Sequence, residues 1–404
     1  MRILRWLSLV AIVLWVPRPL CAQIDPYPRE LIELGYHQEL NGQAPFAGYV
    51  YYYRNVPQLV QSNLALRVVL SPTYVDGELG IRGALGPNTD VGIGLAGGGF
   101  AYGYNEIHSG IWFQEESWMG HGAEVSGSVY HLFNPKARIP LYGVLRSSFE
   151  YIVYERYSRT APNFVVPDDQ PEINLRGGLR WGGEEFALMP DLGFEVSGWY
   201  DGQFRLSPGA YGFAQDRTME PSVHLFWGRA SLRYTMPESK QTVGLRLEAG
   251  TAIHPDRLSA YRLGGMLNLA SEFPHSIPGY YFGELSAQSF GLLGGFYEVP
   301  LDFRKCWRIG AGAATGLVSF TPGMDQPNHW NSGVGCGLTY RNPAESVKIA
   351  LLYGYGINAM RSNGEGGHTI ALLAQFDLEK SKAAKGTQPR QPPSKSFKRL
   401  LGVY

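Results

Sequence analysis

The sequence has few cysteines, and none of them sits where a disulfide is expected. Its three cysteines are too few for a disulfide-rich scaffold. Cys306 begins one predicted strand and Cys336 lies midway along the next, so antiparallel pairing does not place the two opposite each other. We therefore expect both thiols to be free.

An excess of charge of one sign is also missing. The 35 basic and 35 acidic residues give a formal net charge of zero, which supplies no global electrostatic reason to bind nucleic acid or acidic partners. The glycine-rich run GIGLAGGG near residue 92 is followed neither by a predicted helix nor by GKS/T, so it does not predict a phosphate-binding loop. We expect no nucleic-acid partner, no cofactor and no bound metal.

Long apolar runs are absent after the first residues. Two arginines precede the apolar stretch Leu7–Val16 and Ala22 follows it, which predicts a secretory signal peptide at residues 1–22. The alternative, a lipid anchor on Cys21, has a poor acylation context. Downstream, no run reaches the roughly 18 uncharged apolar residues of a membrane helix. A mature chain that crosses a membrane therefore has to be a closed β-barrel.

What the sequence does contain is a regular alternation of apolar with polar or small residues. In the run TVGLRLEAG, Val243, Leu245 and Leu247 share one face. Arg246 and Glu248 share the other. A soluble sandwich would turn the apolar face inward, but many long strands with charged second faces favour a barrel with its apolar face outward. The 51 glycines and 25 tyrosines suit such a barrel.

The alternation predicts an all-β protein, a transmembrane antiparallel β-barrel of about 16 strands, in a range of roughly 14 to 18. Loop lengths alternate between long and short when read from either end, but the two readings disagree by one strand between about residues 200 and 260. The predicted strands are 45–56, 63–70, 77–85, 90–100, 122–133, 141–155, 172–181, 191–201, 222–235, 241–251, 257–265, 281–298, 307–319, 332–340, 347–357 and 368–378.

The two ends of the mature chain differ from the barrel at 45–378. Residues 23–44 contain the weakly helical run PRELIELGYHQEL and predict a periplasmic linker or a small plug. Residues 379–404 are rich in lysine, arginine and proline, which predicts a disordered basic periplasmic tail. The tail is either simply solvated, which we favour, or a specific anchor for anionic lipid or a cell-wall polymer.

Charged side chains collect on the polar faces of the predicted strands. They either line an aqueous lumen and select solutes, or pair across neighbouring strands and fill a narrow barrel. The balance of charge favours pairing, because a selective pore would show one sign in excess. The lumen-facing candidates are Arg67, Arg82, Arg146, Arg176, Arg180, Arg229, Arg233, Arg246, Arg308, Glu78, Glu124, Glu150, Glu195 and Glu248.

No residue is predicted to be catalytic. His131 shares a face with Val125 and Val129, as in a lipid hydrolase built on a barrel, but no ordered set of Ser, His and Asn or Asp can be placed around it from spacing. An interfacial histidine is the favoured interpretation. The acidic and histidine residues of 105–121 lack the spacing of metal ligands, so this segment predicts a solvated external loop. We therefore expect that the protein is not an enzyme.

One stretch resembles a known family. Residues 261–301 read YRLGGMLNLASEFPHSIPGYYFGELSAQSFGLLGGFYEVPL, and this order of strand, long connection and strand ending in a proline turn resembles the outer-membrane assembly-factor superfamily, also called the bacterial surface antigen family. The resemblance implies a barrel with a long loop folded back into it. That family's loop carries an Arg-Gly-aromatic motif whose arginine reaches an acidic strand motif.

Two features of the family are missing from this sequence. The corresponding loop stretch reads LNLASEF, and the strand run AGAATG at 311–316 has no acid. There is also no room for periplasmic repeat domains. The resemblance therefore covers the barrel portion alone and does not carry over an insertion or secretion activity.

Taken together, these patterns predict a protein of the bacterial outer membrane. The first hypothesis for its function is a passive pore or structural barrel. One alternative is a closed accessory or docking barrel related to the surface antigen family, and a lipid hydrolase is a disfavoured third. The expected partners are outer-membrane lipid and, during biogenesis, the barrel-assembly machinery. The oligomeric state is left open.

Overall fold

The computed structural model describes residues 24–384 apart from 26, 138, 190–191 and 268–273, and it leaves out the side chains of 184–189. The predicted signal peptide, 1–22, lies outside the described residues. Residues 385–404 of the predicted tail lie outside them as well.

Within the described residues, sixteen strands form one closed antiparallel barrel, which confirms the predicted fold class. The barrel closes where the first strand pairs with the last, from Leu31 opposite Asp377 to Glu39 opposite Thr369. The strands are β1 (Arg29–Glu39), β2 (Ala47–Pro57), β3 (Leu64–Ser71), β4 (Tyr74–Ile81), β5 (Thr89–Gly98), β6 (Ile111–Leu132), β7 (Leu141–Arg156), β8 (Gln170–Met189), β9 (Leu192–Arg205), β10 (Ser222–Thr235), β11 (Thr242–Ile253), β12 (Leu285–Pro300), β13 (Trp307–Phe320), β14 (Trp330–Arg341), β15 (Val347–Arg361) and β16 (Gly364–Asp377).

The two ends of the barrel differ in their connections. At the end where β1 begins and β16 finishes, which we call the terminal end, short turns such as 236–241 join the strands. At the opposite end, the loop end, the connections include 99–110, 206–221 and 254–284. Short turns on one side and long loops on the other are typical of outer-membrane barrels.

Alternate residues of each strand face outward and inward, as the sequence pattern predicts. On β11, Leu245 and Leu247 are 56% and 54% exposed, whereas Glu248 is 2% exposed. Apolar side chains thus cover the outside of the barrel, while polar side chains and glycines face its interior together with clusters of buried apolar residues. This arrangement is stable where the surroundings are apolar, because burying the outward leucines removes their apolar surface from water.

Two strand predictions are wrong, and their errors cancel in the count. Residues 29–39, predicted as linker or plug, form β1. There Leu31 turns inward beside outward-facing Ile32 and Leu34, so apolar residues on both faces hid the alternation. Residues 257–265, predicted as a strand, contribute to the sheet only at Tyr261–Leu263, which pairs with the start of β12.

The start of the predicted tail is helical. Helix α1 (Leu378–Ala384) follows β16 directly. Its Lys382 pairs with Glu30 of β1, and Lys380 lies 3.5 Å from Glu345. The first residues of 379–404 are therefore ordered against the barrel, and the prediction of disorder is wrong for them. The described helix is too short to cross a membrane.

Cys306 and Cys336, the two cysteines among the described residues, are free thiols, as predicted. Cys306 is buried at the turn before β13, and Cys336 is exposed on the outer face of β14. The two strands pair, but the residue opposite Cys336 is Ala311.

Candidate functional site

The interior of the barrel has two unlike walls. From β3 to β11 the inward positions carry arginines and carboxylates, and we call this part the charged wall. From β12 to β16 many inward positions are glycines, and we call this part the glycine wall. The inward glycines are Gly294, Gly310, Gly312, Gly316, Gly333, Gly335, Gly337, Gly354, Gly356 and Gly367.

A long loop lies against the loop-end half of the glycine wall. This inner loop, residues 264–284, runs from the short strand Tyr261–Leu263 to β12 and buries Ile277 and Tyr280 almost completely. A methyl group on Gly333 would lie 2.0 Å from the carbonyl oxygen of Pro278. Backbone therefore meets backbone here, and any side chain on the wall would push the loop away.

The loop tip itself requires glycine. Gly279 has a φ of +81°, a conformation that residues with a Cβ rarely adopt. A Cβ on Gly279 would also lie 1.7 Å from the backbone nitrogen of Gly356. On the other side, a Cβ on Gly367 would lie 2.3 Å from the carbonyl oxygen of Gly279. The tip thus fits between glycines of β15 and β16.

A buried ion pair fastens this loop to β15. The Arg361 guanidinium donates to the Glu284 carboxylate at 2.8 Å, and both side chains are at most 1% exposed. Arg361 also donates to the carbonyl of Gly279 at 3.1 Å and stacks over the ring of Tyr281 at 3.8 Å. We call the Arg361–Glu284 pair the latch. Removing one partner of such a buried pair costs about 3–5 kcal/mol.

Two further contacts tie the inner loop to its surroundings. The Nδ1 atom of His275 lies 3.0 Å from a carboxylate oxygen of Glu248, which joins the loop to the charged wall. The hydroxyl of Tyr281 donates to the carbonyl of Asn41, 3.3 Å away in the connection between β1 and β2. Burial raises the pKa of Tyr281 to about 12, so the hydroxyl remains a neutral donor at neutral pH.

A hairpin extends above the barrel wall at the loop end. It consists of the short strand Tyr104–His108 and the first part of β6, to residue 120, and we call it the lid. Its two-residue turn, Ser109 and Gly110, has positive φ at both positions, as a type I′ turn requires. A Cβ on Gly110 would lie 1.7 Å from the carbonyl oxygen of Met360 on β15. Since β15 lies across the ring of strands from β6, the lid spans the mouth.

The lid is held by one fully buried carboxylate, Glu106. Arg257 from the 254–284 connection donates to it, and Arg217 from the 206–221 loop lies 3.6 Å away. The hydroxyl of Tyr104 donates to it at 2.6 Å. His108 is 3.8 Å away, but burial lowers the pKa of this histidine, so it is neutral near pH 7 and adds no charge. Three segments therefore converge on one acid.

Aromatic side chains pack beneath these polar contacts. Trp118 of β6 stacks on Tyr104 and contacts the rings of Phe164 and Tyr211, which belong to two other loops. Phe164 is fully buried, and Met219 completes the cluster. Such a cluster stabilises the closed mouth by burying large apolar surfaces together.

Most of the predicted lumen-facing residues lie on the charged wall and are bound to opposite charges. Arg67 binds both oxygens of Asp76 at 3.0 and 3.1 Å. Glu195 is shared by Arg180 at 2.7 Å and Arg229 at 2.5 Å. The remaining pairs are Arg67 with Glu78, Arg146 with Glu124, Arg176 with Asp201, Arg246 with Glu248, and Arg308 with Glu298.

Three of the predicted lumen-facing residues are not members of these ion pairs. Arg82 follows β4 on the turn and donates to the carbonyl of Asp25 at 3.0 Å. Glu150 accepts from the amide of Asn174 at 3.1 Å. Arg233 has no carboxylate within ion-pair distance in the part of the chain that the structure describes. Pairing thus accounts for most of this set, and Arg233 is an exception.

Sequence reasoning missed several partners of these arginines. Asp201 lies on the same strand face as the predicted lumen residue Glu195, so alternation alone could have found it. Glu298 lies on a strand for which no lumen-facing residue was predicted. Asp76 lies just before the predicted start of its strand. Arg361 and Glu284 lie at or beyond the ends of their strands. Alternation is a local pattern, so it gives no information on a pair of residues so distant in the sequence.

The other candidate chemistry finds no site. His131 lies on the outer face of β6, and its Nδ1 is 2.8 Å from the hydroxyl of Thr89. No serine or acid contacts this ring among the described residues. Across the described ranges, no three His, Cys, Asp or Glu residues are placed to hold a metal ion. That the protein is not an enzyme remains a prediction.

Solved structures with a similar barrel exist. CdiB from Acinetobacter baumannii matches with a TM-score of 0.55 at 11% identity over 87% of this chain and 60% of that one. CdiB from Escherichia coli gives 0.55 and 12% over 87% and 63%. BamA from Haemophilus ducreyi, in a structure lacking POTRA domains 1–3, gives 0.54 and 11% over 87% and 71%. This chain therefore spans less than two thirds of either CdiB chain.

These matches confirm the predicted resemblance at the level of fold: the chain forms a closed β-barrel similar to the barrels of CdiB and BamA. No family model matches the chain, and no curated protein matches its sequence.

The loop motif implied by the resemblance takes another form here. The stretch LNLASEF is described only at Leu267. Among the described residues of the inner loop, Met266 and the run 277–280 lie against the glycine wall. That run reads Ile-Pro-Gly-Tyr, with Pro278 directly before the glycine and the aromatic residue. The arginine of the latch comes instead from the strand, at Arg361, and the acid from the loop, at Glu284.

Proposed function

We propose that this outer-membrane barrel is closed at its loop end in the resting state and serves as an accessory or docking barrel, not as a passive pore. The observation that carries the proposal is the position of the lid, whose Gly110 reaches the backbone of Met360 across the mouth. A passive pore would leave this mouth open to solutes.

The inner loop also supports a closed barrel. Its tip occupies space beside the glycine wall, and the latch holds it there. The charged wall is filled by ion pairs, which leave few charges free to attract a permeating ion. Closing elements held by buried contacts need a trigger of several kcal/mol to open.

Planar-bilayer recording of the refolded protein tests closure. We expect no steady conductance above background from the wild-type chain. Replacing the loop tip 275–280 by a Gly-Ser linker, together with Arg361→Met, is expected to produce conducting events. Arg54→Gln, on the exposed outer face of β2, is the matched control and should stay silent.

A steady conductance from the wild-type protein would overturn closure and support the pore hypothesis. Heat-modifiable migration in detergent, measured first on every variant, separates a misfolded chain from an opened barrel. Fractionation with outer membranes tests the proposed location.

The docking role has its own measurement. We expect a partner to co-purify with the wild-type protein and to be lost when the loops of the lid are shortened. Co-purification that survives deletion of residues 379–404 would assign docking to the loops and not to the tail. If no partner co-purifies from cells that produce the protein, the docking role fails while closure stands.

A further inference from the structure

The glycine wall divides into two halves that differ in what covers them. At the loop end, the inner loop covers Gly333 and Gly356. Nearer the terminal end, the three atoms nearest to a Cβ on Gly310 would belong to β12, at 3.4 to 3.8 Å. A Cβ on Gly294 would meet only Ala313 and Ala314, at 3.7 and 3.8 Å. Space therefore remains beside Gly294 and Gly310, and we call it the terminal chamber. Phe296 and Leu352 lie beside the neighbouring Gly312 and Gly337 and border it.

Four cationic side chains lie on the inner face at the terminal end of this chamber. They come from four strands, and two of them, Arg341 of β14 and Lys348 of β15, stand directly opposite each other in the sheet. Arg341 is also within electrostatic range of Arg233 and Arg308. Like charges placed opposite each other destabilise a sheet unless something between them compensates.

The nearby carboxylates do not pair with all four of these cations. Glu298 pairs with Arg308 and lies 3.4 Å from Arg341. Glu33 accepts from the Tyr49 hydroxyl at 2.5 Å. Glu345 is exposed and faces Lys380.

Several cationic groups of the cluster lack a carboxylate or a hydrogen-bond partner among the described residues. Among the described residues, neither Arg233 nor Lys348 has a carboxylate within 4.0 Å. The Nε atoms of Arg308 and Arg341 are buried and have no hydrogen-bond partner in the described part of the chain. Buried donors of this kind normally have a partner, and a ligand is one way to supply it.

We infer that Arg233, Arg308, Arg341 and Lys348 form a binding site for a phosphate-class anion in the terminal chamber. Guanidinium groups offer parallel N–H donors to an oxyanion, and the lysine ammonium adds a point charge. The four cations outnumber the three carboxylates that act on them, Glu298, Glu33 and Glu345, so the cluster keeps net positive charge for an anion. Tetrahedral phosphate oxygens can also accept from several strands at once.

Equilibrium dialysis with radiolabelled inorganic phosphate, on the full chain in non-ionic detergent at low salt, tests this site. We expect saturable binding by the wild-type protein. Lys348→Gln and Arg341→Gln should each weaken it about tenfold, the effect of losing one charged hydrogen bond. Lys348→Arg should bind nearly as well as wild type. Arg54→Gln should bind unchanged, because Arg54 lies on the outer face at the same end.

A second arm separates the two sources of phosphate chemistry. The protein is placed in nanodiscs of phosphatidylcholine with or without phosphatidylglycerol, and phosphate binding is measured again. Weaker binding in the phosphatidylglycerol discs would assign the site to a lipid headgroup, and equal binding would assign it to a soluble phosphate.

Three results would overturn the inference. These are no saturable binding by wild type, unchanged binding by both Lys348→Gln and Arg341→Gln, and an equal loss in Arg54→Gln. Retained binding in Lys348→Arg beside its loss in Lys348→Gln shows that charge, and not misfolding, is responsible. Phosphate binding is measured independently of conductance, so the inferred anion site and the proposed closure of the mouth can be overturned separately.

Discussion

The charged wall and the glycine wall belong to one sheet, yet they fill the interior in opposite ways. On the charged wall, long side chains such as Arg229 and Glu195 reach into the barrel and pair with each other. On the glycine wall, Gly333 and Gly356 have no side chain and therefore leave space for the inner loop. One wall is thus packed by its own side chains, while the other is shaped to receive a separate segment.

The difference has an energetic consequence. The pairs of the charged wall are local to neighbouring strands, so they form as the sheet forms. The contacts of the glycine wall depend on a long loop of low sequence regularity, and ordering that loop against the wall costs closure entropy. We therefore expect the charged wall to govern the stability of the barrel and the glycine wall to govern whether its interior is open.

The largest expected loss of stability comes from a substitution on the charged wall. Glu195→Ala removes the carboxylate that Arg180 and Arg229 share in a buried site, and breaking a buried ion pair by removing one member costs about 3–5 kcal/mol. The urea midpoint of the refolded protein in detergent measures it.

Glu155→Ala, which removes a carboxylate that is 58% exposed, is the control and should leave the midpoint nearly unchanged. Equal effects of the two substitutions would contradict the assignment of stability to the charged wall.

The next effect is on the glycine wall. Gly333→Ala places a methyl group 2.0 Å from the carbonyl oxygen of Pro278, and overpacking of this kind costs about 1–3 kcal/mol. Because the loop can move more easily than the sheet, we expect it to be displaced and cleaved faster in limited proteolysis.

Gly291→Ala is the matched control, since nothing lies within 4 Å of a Cβ at that position. If both variants were cleaved at the wild-type rate, the inner loop would not depend on the glycine wall.

The sequence predicted the two faces of the barrel well and its interior poorly, for a physical reason. Alternation is a local signal, so it identified residues such as Leu245 and Glu248 on opposite faces. It failed for β1, where Leu31 faces inward. It gave no information on the contact of Glu106 with Arg257 or of Gly110 with Met360, because these join distant segments with no shared period.

A third prediction concerns the contact between the walls. His275 of the inner loop lies 3.0 Å from Glu248 of the charged wall and packs against Phe290 and Trp227. His275→Phe keeps an aromatic ring there and removes the hydrogen bond, which we expect to cost about 1 kcal/mol. The readout is again proteolysis of the inner loop.

In the Gly333→Ala background, the loop is already displaced, so His275→Phe should add little. Full additivity of the two substitutions would show that the histidine acts on the barrel independently of the glycine wall.

The smallest expected effect lies outside both walls, at the terminal end. Lys382 of α1 pairs with Glu30 on the outer face of β1, and its side chain is 43% exposed, so the pair contributes at most about 1 kcal/mol. Lys382→Ala should shift the urea midpoint slightly at low salt and not at all at high salt, because screening removes the attraction first. Phosphate binding and loop proteolysis should stay at wild-type values. A large loss of stability in this variant would mean that α1 helps to close the seam between β1 and β16, since the helix begins where that seam ends, and stability would then be shared between the charged wall and the seam.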